Sequence, residues 1–264
     1  MDYLDKLENE SIFILREAYN SLKNIGMLWS LGKDSNVMVW LAFKAFLGKI
    51  PFPLIHVDTK KKFKEMYDFR DKYKKEWNLN LIKGTCPKVK EIDPSLPPAA
   101  RSAARKTEGL KNIIKKYKFK AVIAGIRKDE QGTRAKERFF SPRSTDGKWN
   151  IKNQPAEFWD HYQTQLSANY HMRVHPLLSW SEIDIWNYIK KENIPVVDLY
   201  FSKNGKRYRS LGDKDITKPI DSMAKSISDI IEELRVTKIS ERSGRDMDHE
   251  EEDVFEKLRS TGYL

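Results

Sequence analysis

Cysteine is nearly absent from this 264-residue chain, which has one, Cys86. A single thiol excludes an intrachain disulfide, a cysteine-ligated cluster or zinc site, and any relay of sulfur between two cysteines. Nothing beside Cys86 marks it as a nucleophile, so it reads as structural. Long apolar runs are missing as well: none approaches the ~20 residues that cross a bilayer. The opening Met1-Asp2-Tyr3-Leu4-Asp5-Lys6 is acidic where a secretory leader is basic. A cytoplasmic protein without membrane contact is expected. No Walker loop, Gly-x-x-x-x-Gly-Lys-Ser/Thr, occurs either, and no solenoid-length repeat.

Charge of one sign is in excess. The formal net charge is +11, unevenly spread. Between residues 101 and 120, Arg101, Arg105, Lys106, Lys111, Lys115, Lys116, Lys118 and Lys120 face only Glu108. Such a segment suits nucleotide phosphates or a nucleic acid backbone; a solvated helix face would look the same.

The densest chemistry lies at Ser30-Leu31-Gly32-Lys33-Asp34-Ser35. The preceding Ile25-Gly26-Met27-Leu28-Trp29 reads as a buried strand. The following Val37, Val39, Leu41, Ala42, Ala45 and Phe46 have the spacing of an amphipathic helix. A strand turning through a small-residue loop into a helix start is an anion site, because unpaired N–H groups and the helix dipole point the same way. Lys33 adds a point charge, the Ser30 and Ser35 hydroxyls add donors, and Asp34 is expected to cap the helix or to orient a metal.

The rest alternates strand and helix. A helix is expected over 3–24, strands at 54–57, 79–82 and 121–125, and helices at 60–77 and 103–117. This predicts a doubly wound parallel α/β sheet, whose ligands sit where the strands end. Asp58 closes the second strand. Gly125 closes the fourth and opens a basic stretch carrying Arg127, Arg134 and Arg138, whose guanidinium forks match oxyanions. Residues 84–100, with four prolines, read as a loop, and 141–171 as an aromatic loop. Residues 173–186 read as strand, turn and capped helix, with Trp180 and Trp186 in the core and His175 either structural or catalytic. The chain divides into a main domain, 1–194, and a C-terminal extension, 195–264, folding over the cleft and carrying an arginine–glycine loop at 240–245 and a final acidic helix.

Ser-x-Gly-Lys-Asp-Ser resembles the pyrophosphate loop of N-type ATP pyrophosphatases. With His56-Val57-Asp58-Thr59, Phe63–Met66, Lys106–Lys111, Asp129–Arg138, Arg173–Trp186, Arg207–Asp213 and Ser240–Arg245, the chain resembles the small, ATP-cleaving subunits of bacterial sulfate adenylyltransferases along nearly its whole length. That resemblance implies an adenine nucleotide α-hydrolase-like fold, ATP and Mg2+, and adenylyl transfer to sulfate coupled to a separate GTPase subunit. It names no metal ligand. Lys60-Lys61 depart from the pattern, which has a small residue and an aromatic there. Relatives in DNA phosphorothioation adenylate the DNA backbone, and would bring a cysteine desulfurase and a nickase as partners. A third relative, phosphoadenylylsulfate reductase, needs a C-terminal cysteine that this chain lacks. A nucleotide-binding regulatory subunit without turnover is a third reading, which the intact loop disfavours.

Every enzymatic version shares one step, in-line attack of an oxyanion on the α phosphorus with loss of pyrophosphate. Ser30, Gly32, Lys33, Asp34 and Ser35 are expected at the β and γ phosphates. Arg127, Arg134 and Arg138 are expected at the acceptor or α phosphate, Asp58 at nucleotide or metal, and Lys106 and Arg101 at outer phosphate contacts.

Overall fold

The chain begins with helix α1 (Tyr3–Leu22), opened by a reciprocal cap in which Asp2 accepts from the Tyr3 N–H while Asp5 accepts from the Asp2 N–H. There follow β1 (Ile25–Leu28), α2 (Lys33–Ala45), β2 (Leu54–Asp58), α3 (Lys64–Glu76), β3 (Leu81–Thr85), α4 (Pro98–Tyr117) and β4 (Ala121–Ile123). The second half adds the short α5 (Gly132–Ala135), β5 (Phe140–Ser144), β6 (Tyr170–Val174), α6 (Glu182–Glu192), the two-residue strands β7 (Lys206–Arg207) and β8 (Ile220–Asp221), and α7 (Ile227–Val236). The computed structural model describes residues 2–144, 148–152, 154–159, 161–167, 170–237 and 241.

Six strands form one sheet in the order β3-β2-β1-β4-β6-β5. The pairs β1–β2, β2–β3, β1–β4 and β4–β6 are parallel, with Met27 opposite Leu54 and Gly26 opposite Val122. The expected parallel sheet is present with one correction. β5 runs antiparallel to β6 and lies within a stretch expected to be loop. Its proline, Pro142, fits an edge strand, where a missing N–H costs no ladder bond.

Side chains alternate across the strands, so both faces are covered. Met27, Leu54 and Ile123 belong to the large core shared with α1, α2, α3 and α6. Ile55, on the other face, packs with Ile113 and Phe119 at the end of α4. Val197, Tyr200, Leu211, Ala224 and Ile230 also belong to the large core, so the described residues between 195 and 237 share the same interior. The arginine–glycine loop at 240–245, apart from Glu241, and the final acidic helix lie outside the described residues.

Two helix starts differ from expectation. α3 begins at Lys64 because residues 59–63 make the exit from β2. α4 begins five residues early, with Pro98 in its first turn, where its missing N–H has no helical partner to lose.

Two buried histidines set a pH dependence. His56, 1% exposed, lies against the Trp29 carbonyl at 3.0 Å, and burial brings its pKa down to about 4. Burial, then Arg173 and Arg143, bring His171 down to about 3. Both are neutral in the fold, while the unfolded chain takes up protons near 6.5. Stability is therefore complete above that pH and falls as the pH drops towards 4. Thermal melts between pH 7.5 and 4.5 should show a falling Tm, with a shallower slope in His56→Gln; an unchanged slope would contradict the assignment.

Candidate active site at the carboxyl edge of the sheet

The strand order reverses beside β1: β2 lies on one side and β4 on the other. Connections leaving β1 and β4 therefore diverge and open a crevice at their carboxyl ends. A cavity of about 220 Å³ occupies it, lined by Ser30, Gly32, Lys33, Asp34 and Ser35 from the β1 exit and Gly125 and Arg134 from the β4 exit.

The loop after β1 turns at Leu31, whose φ of 72° is left-handed. That conformation costs a non-glycine residue ~1–2 kcal/mol, and complete burial of the Leu31 side chain offsets it. Gly32 is the residue before α2, and no side chain caps the helix. Of the two roles expected of Asp34, capping is therefore not taken; the residue sits one position inside the first turn and turns to cations. Among the described residues Tyr200 meets the Lys33 N–H, and the Asp34 and Ser35 N–H groups of the first turn are left to a ligand. Beneath the loop, Trp29 donates from Nε1 to Asn36 at 2.9 Å, and Asn36 donates to the Pro195 carbonyl at 3.2 Å. Tyr200 Oη accepts from the Lys33 N–H at 2.9 Å.

Gly125 is needed for proximity. A Cβ there would lie 3.1 Å from Met38 Cγ and 3.6 Å from the Asp34 carbonyl carbon, so the β4 exit passes directly against the start of α2.

Arg127 binds these two exits together. It is fully buried, and its guanidinium contacts Asp34 and Glu241 and donates to Asp129 at 2.9 Å. Glu241 contacts both Arg127 and Lys33. Burial alone would raise the Glu241 pKa, but Lys33 and Arg127 outweigh it and hold the carboxyl well below its usual range. A protein carboxylate thus occupies the cations that the sequence assigned to phosphate. Lys33 also lies 3.4 Å from Asp34 and 3.9 Å from Glu182, and Arg209 clasps Glu182 with its closest contact at 2.7 Å.

A second cationic group stands on the β2 side. Lys62 and Lys106 line the cavity, and their ammonium groups approach the buried Asp213 carboxylate at 3.5 Å from Oδ1 and 3.2 Å from Oδ2. Thr59 and Ser102 hydroxyls donate to the same two oxygens. Burial would raise the Asp213 pKa, yet Lys106, Lys62 and the hydroxyls hold it low.

Three expected residues sit elsewhere. Asp58 faces away from the lining: it accepts from Tyr67 at 2.9 Å and from the Lys60 N–H at 2.8 Å. Arg138 is also outside the lining, its carbonyl in contact with the ring Nδ1 of the buried His175 at 2.8 Å. Arg101 donates to the Pro94 and Leu96 carbonyls. The basic segment itself is divided. Arg105 bonds the Pro87 and Thr59 carbonyls and Lys106 faces the cavity, whereas Lys115, Lys116, Lys118 and Lys120 are exposed at the far end of α4. Sequence reasoning assigned no site role to Tyr200, Asp213, Glu182 or Glu241: the last three lie in stretches that carry the family resemblance, but which polar residues of those stretches meet the site's cations is set by tertiary contacts.

Residues 24–219 match the phosphoadenosine phosphosulfate reductase domain family. The chain is 42% identical to sulfate adenylyltransferase subunit 2 of Sulfurimonas denitrificans, covering 100% of this chain and 98% of that one. It is 40% identical to the protein of the same name from Pseudomonas fluorescens, with 100% and 99% covered. Among solved structures, it resembles phosphoadenylyl-sulfate reductase of Candida auris, with a TM-score of 0.56 at 19% identity over 83% of this chain and 98% of that one. It also resembles FMN adenylyltransferase of Candida glabrata, with a TM-score of 0.54 at 17% identity over 92% and 89%. These two likenesses concern the fold.

Because Glu241 competes for Lys33 and Arg127, Glu241→Gln is expected to tighten pyrophosphate binding about tenfold, or ~1.4 kcal/mol. Titration calorimetry measures this; equal or weaker binding would show that the carboxylate does not compete.

Proposed function

Because this chain belongs to the sulfate adenylyltransferase subunit 2 family, we propose that its cavity is where ATP is cleaved between the α and β phosphates and the adenylyl group passes to sulfate. The observation that carries this reading is the uncapped start of α2, with Lys33 beside it, opening into a cavity at the sheet's point of reversal. The leaving pyrophosphate carries the most charge, and a helix start with a lysine is the group here suited to it. Ser30, Gly32 and Ser35 shape that site, Arg134 meets the α phosphate, and Arg127 holds the two strand exits in register. Among the described residues beyond 195, Tyr200 and Gly212 line the cavity wall.

The domain family is named for a reductase, but reductase chemistry needs a nucleophilic thiol. Burial pushes the thiol of Cys86, the only cysteine, up to about 11, and no cysteine follows it.

Among the described residues no cluster of three histidine, cysteine or carboxylate groups could hold a metal by itself. That composition fits Mg2+, which takes one or two carboxylates and completes its shell with substrate phosphates and water. Asp34 is the carboxylate proposed to hold it, and the ion would neutralise charge on the leaving phosphates.

The relatives are named as subunit 2, which implies a partner subunit. The partner proposed is a GTPase, since adenylyl sulfate formation is uphill and no Walker loop occurs in this chain. The reaction draws on ATP, so the proposed compartment is the cytoplasm. No helix among the described residues is long and apolar enough to cross a membrane. A DNA phosphodiester as acceptor gains no support from the site, because the exposed lysines of α4 lie at the end away from the cavity.

Product chromatography with Mg2+ should show pyrophosphate and an AMP-containing product from ATP. ADP and phosphate as main products would overturn the reading. Lys33→Ala should lower turnover by ~30- to 1,000-fold, or ~2–4 kcal/mol, through loss of a contact to the leaving group, while circular dichroism stays unchanged. Pyrophosphate release should respond to sulfate in the presence of the GTPase partner, and not to duplex DNA.

A further inference from the structure

The loop after β1 is committed to the leaving group, so the acceptor needs a binding place of its own. In-line displacement requires the incoming oxygen on the side of the α phosphorus opposite the departing pyrophosphate. We propose that Lys62 and Lys106, held in position by Asp213, bind the acceptor sulfate. This rests on the adenylyl-transfer reading above.

The geometry supplies the argument. Each lysine approaches a different oxygen of one carboxylate, at 3.5 and 3.2 Å. The two ammonium groups are thereby held near each other, and both line the cavity. Two like charges at close quarters favour further negative charge beside them, and a tetrahedral dianion presents paired oxygens at about the spacing of a carboxylate's. Asp213 makes a firm anchor: it is fully buried, and hydroxyls from two other elements, Thr59 after β2 and Ser102 on α4, fix its two oxygens. Its backbone is fixed too, since the Thr217 hydroxyl donates to its carbonyl at 2.8 Å.

Charge on the other side of the cavity points the same way. There Lys33, Arg127 and Arg134 already meet Asp34, Asp129, Glu130 and Glu241. Three cations there face four carboxylates, whereas Lys62 and Lys106 flank the single carboxylate of Asp213, so the charge balance draws a small dianion entering beside bound ATP to the lysine pair. Sulfate carries no proton that must be removed. One of its oxygens bonds to the α phosphorus as the bond from that phosphorus to the α–β bridging oxygen breaks, and the electron pair leaves with pyrophosphate. Lys62 and Lys106 need only hold the dianion in place. Asp213 acts through them, as a positioning residue.

The test is steady-state pyrophosphate release by the complex with its GTPase partner, varying sulfate at saturating ATP and then ATP at saturating sulfate. Lys106→Ala and Lys62→Ala should each raise the KM for sulfate about tenfold or more, with the KM for ATP within about twofold. Lys106→Arg should recover part of the loss. Asp213→Asn should raise the sulfate KM in the same direction. A binding measurement guards against variants with altered turnover: sulfate titrated calorimetrically into the chain saturated with the α,β-methylene analogue of ATP, which occupies the loop without being cleaved. Weaker sulfate binding in the lysine variants is expected there as well. A raised ATP KM with unchanged sulfate KM would assign the pair to the nucleotide and overturn the proposal. Unchanged constants for both substrates, or loss of folding in Lys106→Ala with full sulfate affinity in Lys106→Gln, would show a structural ion pair and overturn it equally. If the wild-type complex itself releases no pyrophosphate in response to sulfate, the adenylyl-transfer reading fails first, and the control shows it.

Discussion

The guanidinium of Arg127 is the constraint on which the site depends. Burying an ion costs several kcal/mol unless counter-charges and hydrogen bonds surround it. Arg127 is buried completely and meets carboxylates from the start of α2, from its own turn and from Glu241. The exits of β1 and β4 therefore cannot shift independently without leaving charge uncompensated, a penalty of ~3–5 kcal/mol for a broken buried pair. Gly125 permits the contact and Arg127 enforces it.

The pyrophosphate loop gives up local stability for an open helix start. A missing cap forgoes ~1 kcal/mol, and the left-handed Leu31 adds a similar cost. Compensation comes from beneath, through the chain from His56 to Trp29, Asn36 and Pro195. It also comes from Tyr200, which reaches the loop from beyond residue 195. Rigidity is thus imported from distant sequence into a segment that cannot supply its own.

This division explains what was legible in the sequence. The Ser-x-Gly-Lys-Asp-Ser loop, the strand-and-helix alternation and the capped helix within 173–186, where Ser181 is the cap, are local patterns, and each has its expected place. Of its two expected roles, Asp34 does not take capping: capping and ion pairing use the same short acidic side chain, and only the tertiary neighbour Arg127 decides between them. β5 was missed because Pro142 and charged neighbours mask an edge strand. Asp58 does close β2, whereas Arg138 lies far beyond the exit of β4 and just before β5, and side-chain direction, which a linear reading does not contain, leaves both outside the cavity lining. Asp213 and Glu241 enter through contacts spanning more than a hundred residues.

Helix α4 joins two electrical environments. Its middle, around Arg105 and Lys106, borders the cavity, whereas Lys115 and Lys116 lie near its C-terminal end. Ten residues of helix span ~15 Å, almost twice the ~8 Å Debye length at physiological ionic strength. Salt therefore screens the exposed lysines from the chemistry at the mouth. In dilute buffer both regions of the helix attract anions as one field; at the salt of a cell they act separately, and much of the chain's surplus charge serves solubility instead of substrate capture.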